Sequence, residues 1–206
     1  ASTVTASTAG SINLCNATNT IGTLGSITRG GQLDVVDSAG GLTVTGPITA
    51  GTITNAVNIT TAGAALAVNG NISTSGANNI ALQGLGVTQA GASTVDAGAG
   101  TITVNGGGGA IDMTTGTLTT TNASGSAITL RNATTVALGN TSAANGTVVL
   151  GVGADITNAL TQTALTTLNA STVTASTAGS INLGNATNTI TNLGAVTRGG
   201  AFSLTD

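Results

Sequence analysis

Short apolar pairs of the form Ile-x-Leu or Val-x-Ile recur along this 206-residue chain at nearly even intervals. They are Ile12/Leu14, Leu33/Val35, Val57/Ile59, Ile80/Leu82, Ile102/Val104, Ile128/Leu130, Val148/Leu150 and Ile181/Leu183. From one first member to the next the sequence number rises by 21, 24, 23, 22, 26 and 20, and then by 33. Two apolar residues one apart point to the same side of a β-strand. The Gly, Asn, Ser and Asp between the pairs suit corners better than helices. A segment this short cannot bury its apolar side alone, but stacked copies can close a shared core. A strand-patterned repeat of this length is the signature of a solenoid. The spacing therefore predicts an all-β fold: a parallel β-helix (β-solenoid) of roughly 21–24 residues per turn, with about nine turns in the chain. Its crossovers are expected to be right-handed, as parallel connections nearly always are.

A second, longer period lies over the first. Residues 1–37 return at 170–206, with 27 of 37 positions identical and one difference in the first 21, Cys15 for Gly184. The offset, 170 minus 1, is 169. The expected organisation is one continuous solenoid over 1–206, with 1–169 as one long unit and 170–206 as the start of the next copy. Dividing 169 by 21–24 gives seven or eight turns per unit, and the odd final gap of 33 fits neither one step nor two.

Composition supports extended backbone and excludes several functions. Charged residues make up 4% of the chain, against about 25% in ordinary domains. Apolar residues reach 40% with a net charge of only −3, so the chain lacks the low hydrophobicity and high charge of disorder. Those apolar residues are mostly Val, Ile, Leu and Ala, and Thr is about a fifth of the chain; branching at Cβ suits a pleated surface. Three arginines (Arg29, Arg131, Arg198) and no lysine are too few cations for phosphate binding, so nucleic acid is not an expected partner. An anionic membrane surface is disfavoured for the same reason. No apolar run approaches the length of a membrane-spanning helix, so no membrane insertion is expected of this segment. The first residues carry no basic stretch followed by an apolar core, so no signal peptide is expected in them.

The motif Ile-x-Leu-x-Asn-Ala-Thr occurs at Ile12–Thr18, Ile128–Thr134 and Ile181–Thr187. Its fourth position is Cys15, Arg131 or Gly184. A site that accepts arginine should face solvent, so Cys15 is expected outside, as an incidental thiol. The following Asn16, Asn132 and Asn185 are expected at corners, because Asn tolerates left-handed backbone and can form ladders.

Candidate chemistry is sparse. Polysaccharide lyases and hydrolases need clustered carboxylates, with a base or a metal. Here the six aspartates (Asp34, Asp37, Asp96, Asp112, Asp155, Asp206) are scattered and there is no Glu, His or Lys. No base is present to activate the many Ser and Thr hydroxyls. Gly106–Gly109 before Ala110-Ile111-Asp112 is similar to a calcium-binding nonapeptide, but Ala110 stands where that motif needs Gly, and the motif occurs once rather than in tandem. One carboxylate is also far short of the six to eight oxygens calcium takes. No catalytic, cofactor-binding or metal-binding residue, and no cofactor, is therefore expected. Thr-x-Thr pairs at 3/5, 43/45, 52/54, 101/103, 117/119 and 172/174 are unevenly spaced and should not form one ice-binding ladder. Nine Asn-x-Ser/Thr sequons (Asn16, Asn58, Asn71, Asn122, Asn132, Asn140, Asn145, Asn169, Asn185) compare with about six expected from composition, so they are a weak signal of glycosylation.

Gly10-Ser-Ile-Asn-Leu, Gly40-Gly-Leu-Thr-Val-Thr-Gly46 and the stretch from Leu193-Gly-Ala-Val-Thr-Arg to Phe202-Ser-Leu-Thr-Asp206 resemble the β-strand repeats of bacterial filamentous-haemagglutinin-like surface adhesins. The resemblance covers essentially the whole chain but lies in rhythm and composition, not in invariant residues. It implies a β-helical rod at the bacterial cell surface or outside the cell, acting in adhesion, biofilm matrix or cell–cell contact. The expected partners are further copies of the rod, joined in the same chain or by end-to-end or lateral self-assembly, and surface glycans. A glycan-binding adhesin module and a surface-layer protein are the alternatives; the absence of Trp and Tyr counts against a strong sugar site.

Overall fold

An inward Ile-x-Leu pair is stable only when neighbouring turns cover it, and the computed structural model supplies that cover. It describes residues 2–50, 56–185 and 187–206. These contain twenty-three strands and no helix, and every strand pairing is parallel. No helix is long and apolar enough to cross a membrane among the described residues. The chain coils as a β-solenoid in which each turn contributes strands to three columns.

The first column runs in register from Ile12 through Leu33, Val57, Ile80, Ile102, Ile128, Val148 and Val173 to Leu193. That is eight steps between positions 12 and 193, which makes roughly 23 residues per turn. Eight full turns thus lie between Ile12 and Leu193, a minor difference from the expected count of about nine, with the stretches before Ile12 and after Leu193 each adding part of a turn. The second column carries Leu42, Leu66, Val87, Ile111, Val136, Leu160, Ile181 and Phe202. The third carries Ile27, Ile48, Ile72, Val95, Leu118, Thr141 and Leu168.

Ile181/Leu183 thus leaves the series to which the sequence assigned it. The first column continues from Val148 to Val173, an ordinary full turn, and Ile181 lies one side further along the coil, in the second column. The anomalous gap between 148 and 181 is one turn plus one side.

Inward residues alternate with outward ones along each strand, as in Leu33–Asp37 and Val57–Thr61. From Leu33 to Leu150 the inward pairs of the first column are all 2% exposed or less. The core is a narrow stack of Ile, Leu and Val, capped at places by buried Thr such as Thr61, Thr141 and Thr177. Thr177 donates its hydroxyl to the Ile156 and Asn158 carbonyls, at 2.9 and 2.6 Å, which keeps it satisfied inside.

Corners between the first and second columns need left-handed backbone. Gly41, Gly63, Gly86, Gly108 and Gly151 all have positive φ there, and Asn132 takes that role with φ 52°. Gly151 has φ +85°, and a Cβ on it would overlap the Ser176 carbonyl oxygen of the next turn. Gly153 has φ +62° with open space around it. Gly153→Ala should cost about 1 kcal/mol from backbone strain alone. Gly151→Ala should cost clearly more, since the next turn must also move. Urea unfolding of the two variants measures the difference; equal losses would contradict the close approach.

Candidate functional site

The six aspartates are the groups from which chemistry would have to be built, and the fold holds each of them apart. Asp34 and Asp37 are near in sequence but separated by an odd step, so one strand sends them to opposite sides. Asp34 faces out and accepts bonds from Gln32 Nε2 and Asn58 Nδ2, both at 2.7 Å. Asp37 faces in, fully buried, and its Oδ1 accepts the Ile21 backbone N–H at 2.7 Å. Asp206 makes the matching bond in the second copy, to the Ile190 N–H at 2.6 Å. Asp96, Asp112 and Asp155 accept the backbone N–H groups of Gly98, Thr114 and Val152 at 2.8, 3.0 and 2.7 Å. Five of the six thus tie main chain, and the sixth is tied by two amides.

Gly106–Gly109 forms a corner, with φ +57° at Gly107 and +87° at Gly108, and Gly107 donates its N–H to Asn105 Oδ1 at 2.9 Å. Asp112 lies beyond it in the second column and closes its own turn on Thr114. No group of three or more His, Cys, Asp or Glu able to hold a metal ion occurs among the described residues.

The motif position shared by Cys15, Arg131 and Gly184 faces solvent in all three contexts. Arg131 pairs with Asp155 at 3.4 Å. The N–H groups of Cys15 and Gly184 both reach the Asn two positions earlier, Asn13 and Asn182, at 3.1 Å. The two copies therefore share one local turn, and the Cys/Gly difference leaves it intact.

Asn16, Asn132 and Asn185 all lie at corners, but they close them differently. Asn16 Oδ1 accepts the Thr18 N–H at 3.0 Å and its hydroxyl at 2.8 Å. Asn132 is left-handed and donates to Asn105 of the previous turn at 3.1 Å, a two-rung ladder. Asn185 donates to the Thr163 and Thr166 carbonyls. Ala186, inside the third copy of the motif, lies outside the described residues. Among the other sequons, Asn58 and Asn122 also have their amide groups bonded, to Asp34 and the Ala99 carbonyl.

The described Thr-x-Thr pairs divide among all three columns. Thr3 and Thr43 belong to the second, Thr103 and Thr172/Thr174 to the first, and Thr117/Thr119 to the third. Only short files such as Thr3–Thr23–Thr43 and Thr103–Thr129 stand in register. Thr52 and Thr54 lie outside the described residues. A shallow cleft at the corner between the second and third columns is lined by Thr45, Pro47, Asn69, Asn71 and Ser93. Its polar groups are largely committed: Ser93 donates to the Val68 and Ala90 carbonyls, and Asn71 accepts the Thr94 N–H.

Two groups of functional weight escaped the sequence reading. Asn19 donates its amide to the Leu14 carbonyl of its own turn at 2.6 Å and the Val36 carbonyl of the next at 3.2 Å. Asn188 repeats this staple on Leu183 and Thr205, at 3.1 and 2.9 Å. The signal was present: both lie in the near-identical part of the long sequence echo. The second is Arg29, which is 1% exposed. It donates to the Gly31 carbonyl, while its Nε and Nη2 have no partner. Burial lowers its pKa from the ordinary arginine value, and nearby Asp34 opposes the shift. Arg198 makes the same bond to Gly200 but is exposed, 6.0 Å from the centre of the Phe202 ring. A buried cation with unpaired donors is costly. Arg29→Met should raise stability by about 1 kcal/mol or more, and Arg198→Met should stay within about 0.5 kcal/mol. Denaturant midpoints decide it, and a loss in Arg29→Met would contradict the buried, underpaired arginine.

Comparison with protein-family models, with curated proteins and with solved structures gives no match. The coil is a β-solenoid repeat fold on its own geometry.

Proposed function

We propose that the protein is a structural rod: a segment of a repetitive bacterial surface or extracellular fibre of the filamentous-haemagglutinin-like kind, acting in adhesion, biofilm matrix or cell–cell contact. One observation carries this reading. The chain's polar groups are used to hold one turn on the next, as in the Asp37–Ile21 and Asp206–Ile190 bonds and the Asn19 and Asn188 staples. A chain built this way does mechanical work: backbone hydrogen bonds run along the axis, small aliphatic side chains fill the interior, and nearly uncharged Thr, Asn and Ser meet solvent. Its partners are then further copies of the same coil, in the same chain or beside it, and surface glycans.

The test of location is an antibody raised against this chain and applied to intact producing cells. Labelling before permeabilisation supports the surface rod; labelling only after permeabilisation overturns it. The test of role is deletion of the coding segment. Loss of cell–cell clumping or matrix cohesion with unchanged growth supports the structural reading, and unchanged clumping and cohesion contradict it.

A further inference from the structure

The two copies of Ile-Asn-Leu in this chain are identical in sequence yet lie on different sides of the coil. Ile12-Asn13-Leu14 stacks on Leu33-Asp34-Val35 and so belongs to the first column. Ile181-Asn182 stacks on Leu160-Thr161, and Ile181 through Leu183 on Phe202 through Leu204, in the second. Other paired positions move the same way. Ile27 stacks on Ile48 in the third column, whereas its counterpart Val196 stacks on Ala175, which continues Leu150 of the first. Ala6, partner of Ile27, and its counterpart Ala175 follow the same shift.

The step can be counted. From Ile12 the first column takes seven turns to reach Val173, and Ile181 is one side further along a three-sided coil. The long unit of 169 therefore spans seven and one-third turns, and 169 divided by seven and one-third is about 23, the turn length seen throughout. Ala6, Ile12, Ile27 and Leu33 are thus each turned by one side to reach Ala175, Ile181, Val196 and Phe202, whereas Val4 and Leu24, at the end of the second column, have counterparts Val173 and Leu193 past the next corner, at the start of the first. Local pairing between adjacent turns is kept through the shift: Val4 with Leu24 and Ala6 with Ile27 in one copy, Val173 with Leu193 and Ala175 with Val196 in the other. Each side accepts the same segment because all three present the same inward aliphatic pairs and outward small polar residues.

We infer that tandem copies of this unit display most equivalent surface residues on the three sides in rotation, so that the rod has no single repeated lateral face. This rests on the rod reading above. Register returns after three units, which is three times seven and one-third, or 22 turns. That is a rise of about 105 Å at about 4.8 Å per turn. A group carried once per unit, such as the side chain at the Cys15/Gly184 position, then winds round the rod as a spiral.

Cysteine pairs on the full chain, with Cys15→Gly to match the second copy, test the rotation with a short bifunctional thiol reagent. Directly stacked residues have Cα atoms about 4.8 Å apart. Asn13→Cys with Asp34→Cys reports the first column in the first copy, and Thr161→Cys with Asn182→Cys reports the second column in the second copy. Both should link rapidly, while Val149→Cys with Asn182→Cys should link at least tenfold more slowly. Efficient linking of 149 to 182 with none of 161 to 182 would overturn the rotation and leave the solenoid standing. Failure of the 13–34 pair as well would instead sink the stacked coil on which the rod reading depends.

Discussion

Leu130→Ala is expected to lower stability by about 2–5 kcal/mol, the cost of a cavity that the surroundings cannot fill. Leu130 is fully buried and stacks directly between Val104 and Leu150. The narrow interior offers few alternatives for repacking, because each inward side chain touches the same position of the turns before and after it. Thr129→Ala, one position away but outward, should change stability by no more than about 0.5 kcal/mol. Stability in a solenoid is approximately a sum of turns and their interfaces, so a weak turn in the middle should also make unfolding less cooperative. Urea curves for the two variants give both quantities. Equal effects at 129 and 130 would mean that the alternation of inside and outside is wrong here.

Asn188→Ala should have the second largest effect. Its Oδ1 accepts the Leu168 N–H at 2.9 Å and Gln162 Nε2 at 2.6 Å. Its Nδ2 donates to Gln162 Oε1 at 3.0 Å, to Leu183 O at 3.1 Å and to Thr205 O at 2.9 Å. Asn188 is 7% exposed, so water replaces these partners poorly. Each buried polar group left unpaired costs about 1–3 kcal/mol, and a total of about 3 kcal/mol or more is expected. Asn19→Ala removes two bonds of the same kind, to Leu14 and Val36, and should cost about 1–3 kcal/mol. Asn188→Asp keeps an oxygen for Leu168 but loses the donors, so it should rescue little. Full rescue by Asp would show that the acceptor side alone matters.

Much of the fold was legible because the inward pairs are spaced by the geometry of a turn. Val57/Ile59, Ile80/Leu82 and Ile102/Val104 follow one another at nearly equal steps, and they do stack in register. The corner role of Asn132 was also legible, since three identical contexts isolate the residue after the outward position. What escaped was the number of sides. A pair such as Ile181/Leu183 looks the same in any column, so periodicity alone could not tell a full turn from a turn and a third. Leu42/Val44, Leu66/Val68 and Leu160 build the second column from residues just as ordinary as those of the first. Arg29 could not be placed either, because its counterpart Arg198 is exposed in the same sequence context. Its burial depends on the next turn passing over it, which is tertiary information. The service of Asp37 and Asp206 as main-chain acceptors needed the turn-to-turn register, with equal spans from Ile21 to Asp37 and from Ile190 to Asp206, whereas Asp96, Asp112 and Asp155 close local turns.

The central claim, a coil whose first column rises by one strand spacing per turn, is tested most directly by spin-label distances along that column. Asn58, Thr129, Val149 and Thr174 occupy equivalent outward positions, the last three lying three, four and five turns from the first. With Asn58→Cys as the fixed site in a Cys15→Gly background, pairs with Thr129→Cys, Val149→Cys and Thr174→Cys should give backbone separations of about 14, about 19 and about 24 Å, from about 4.8 Å per turn. A steady rise of that size per turn is the predicted result. Distances that stay level, jump irregularly or spread broadly across the three pairs would contradict the stacked coil.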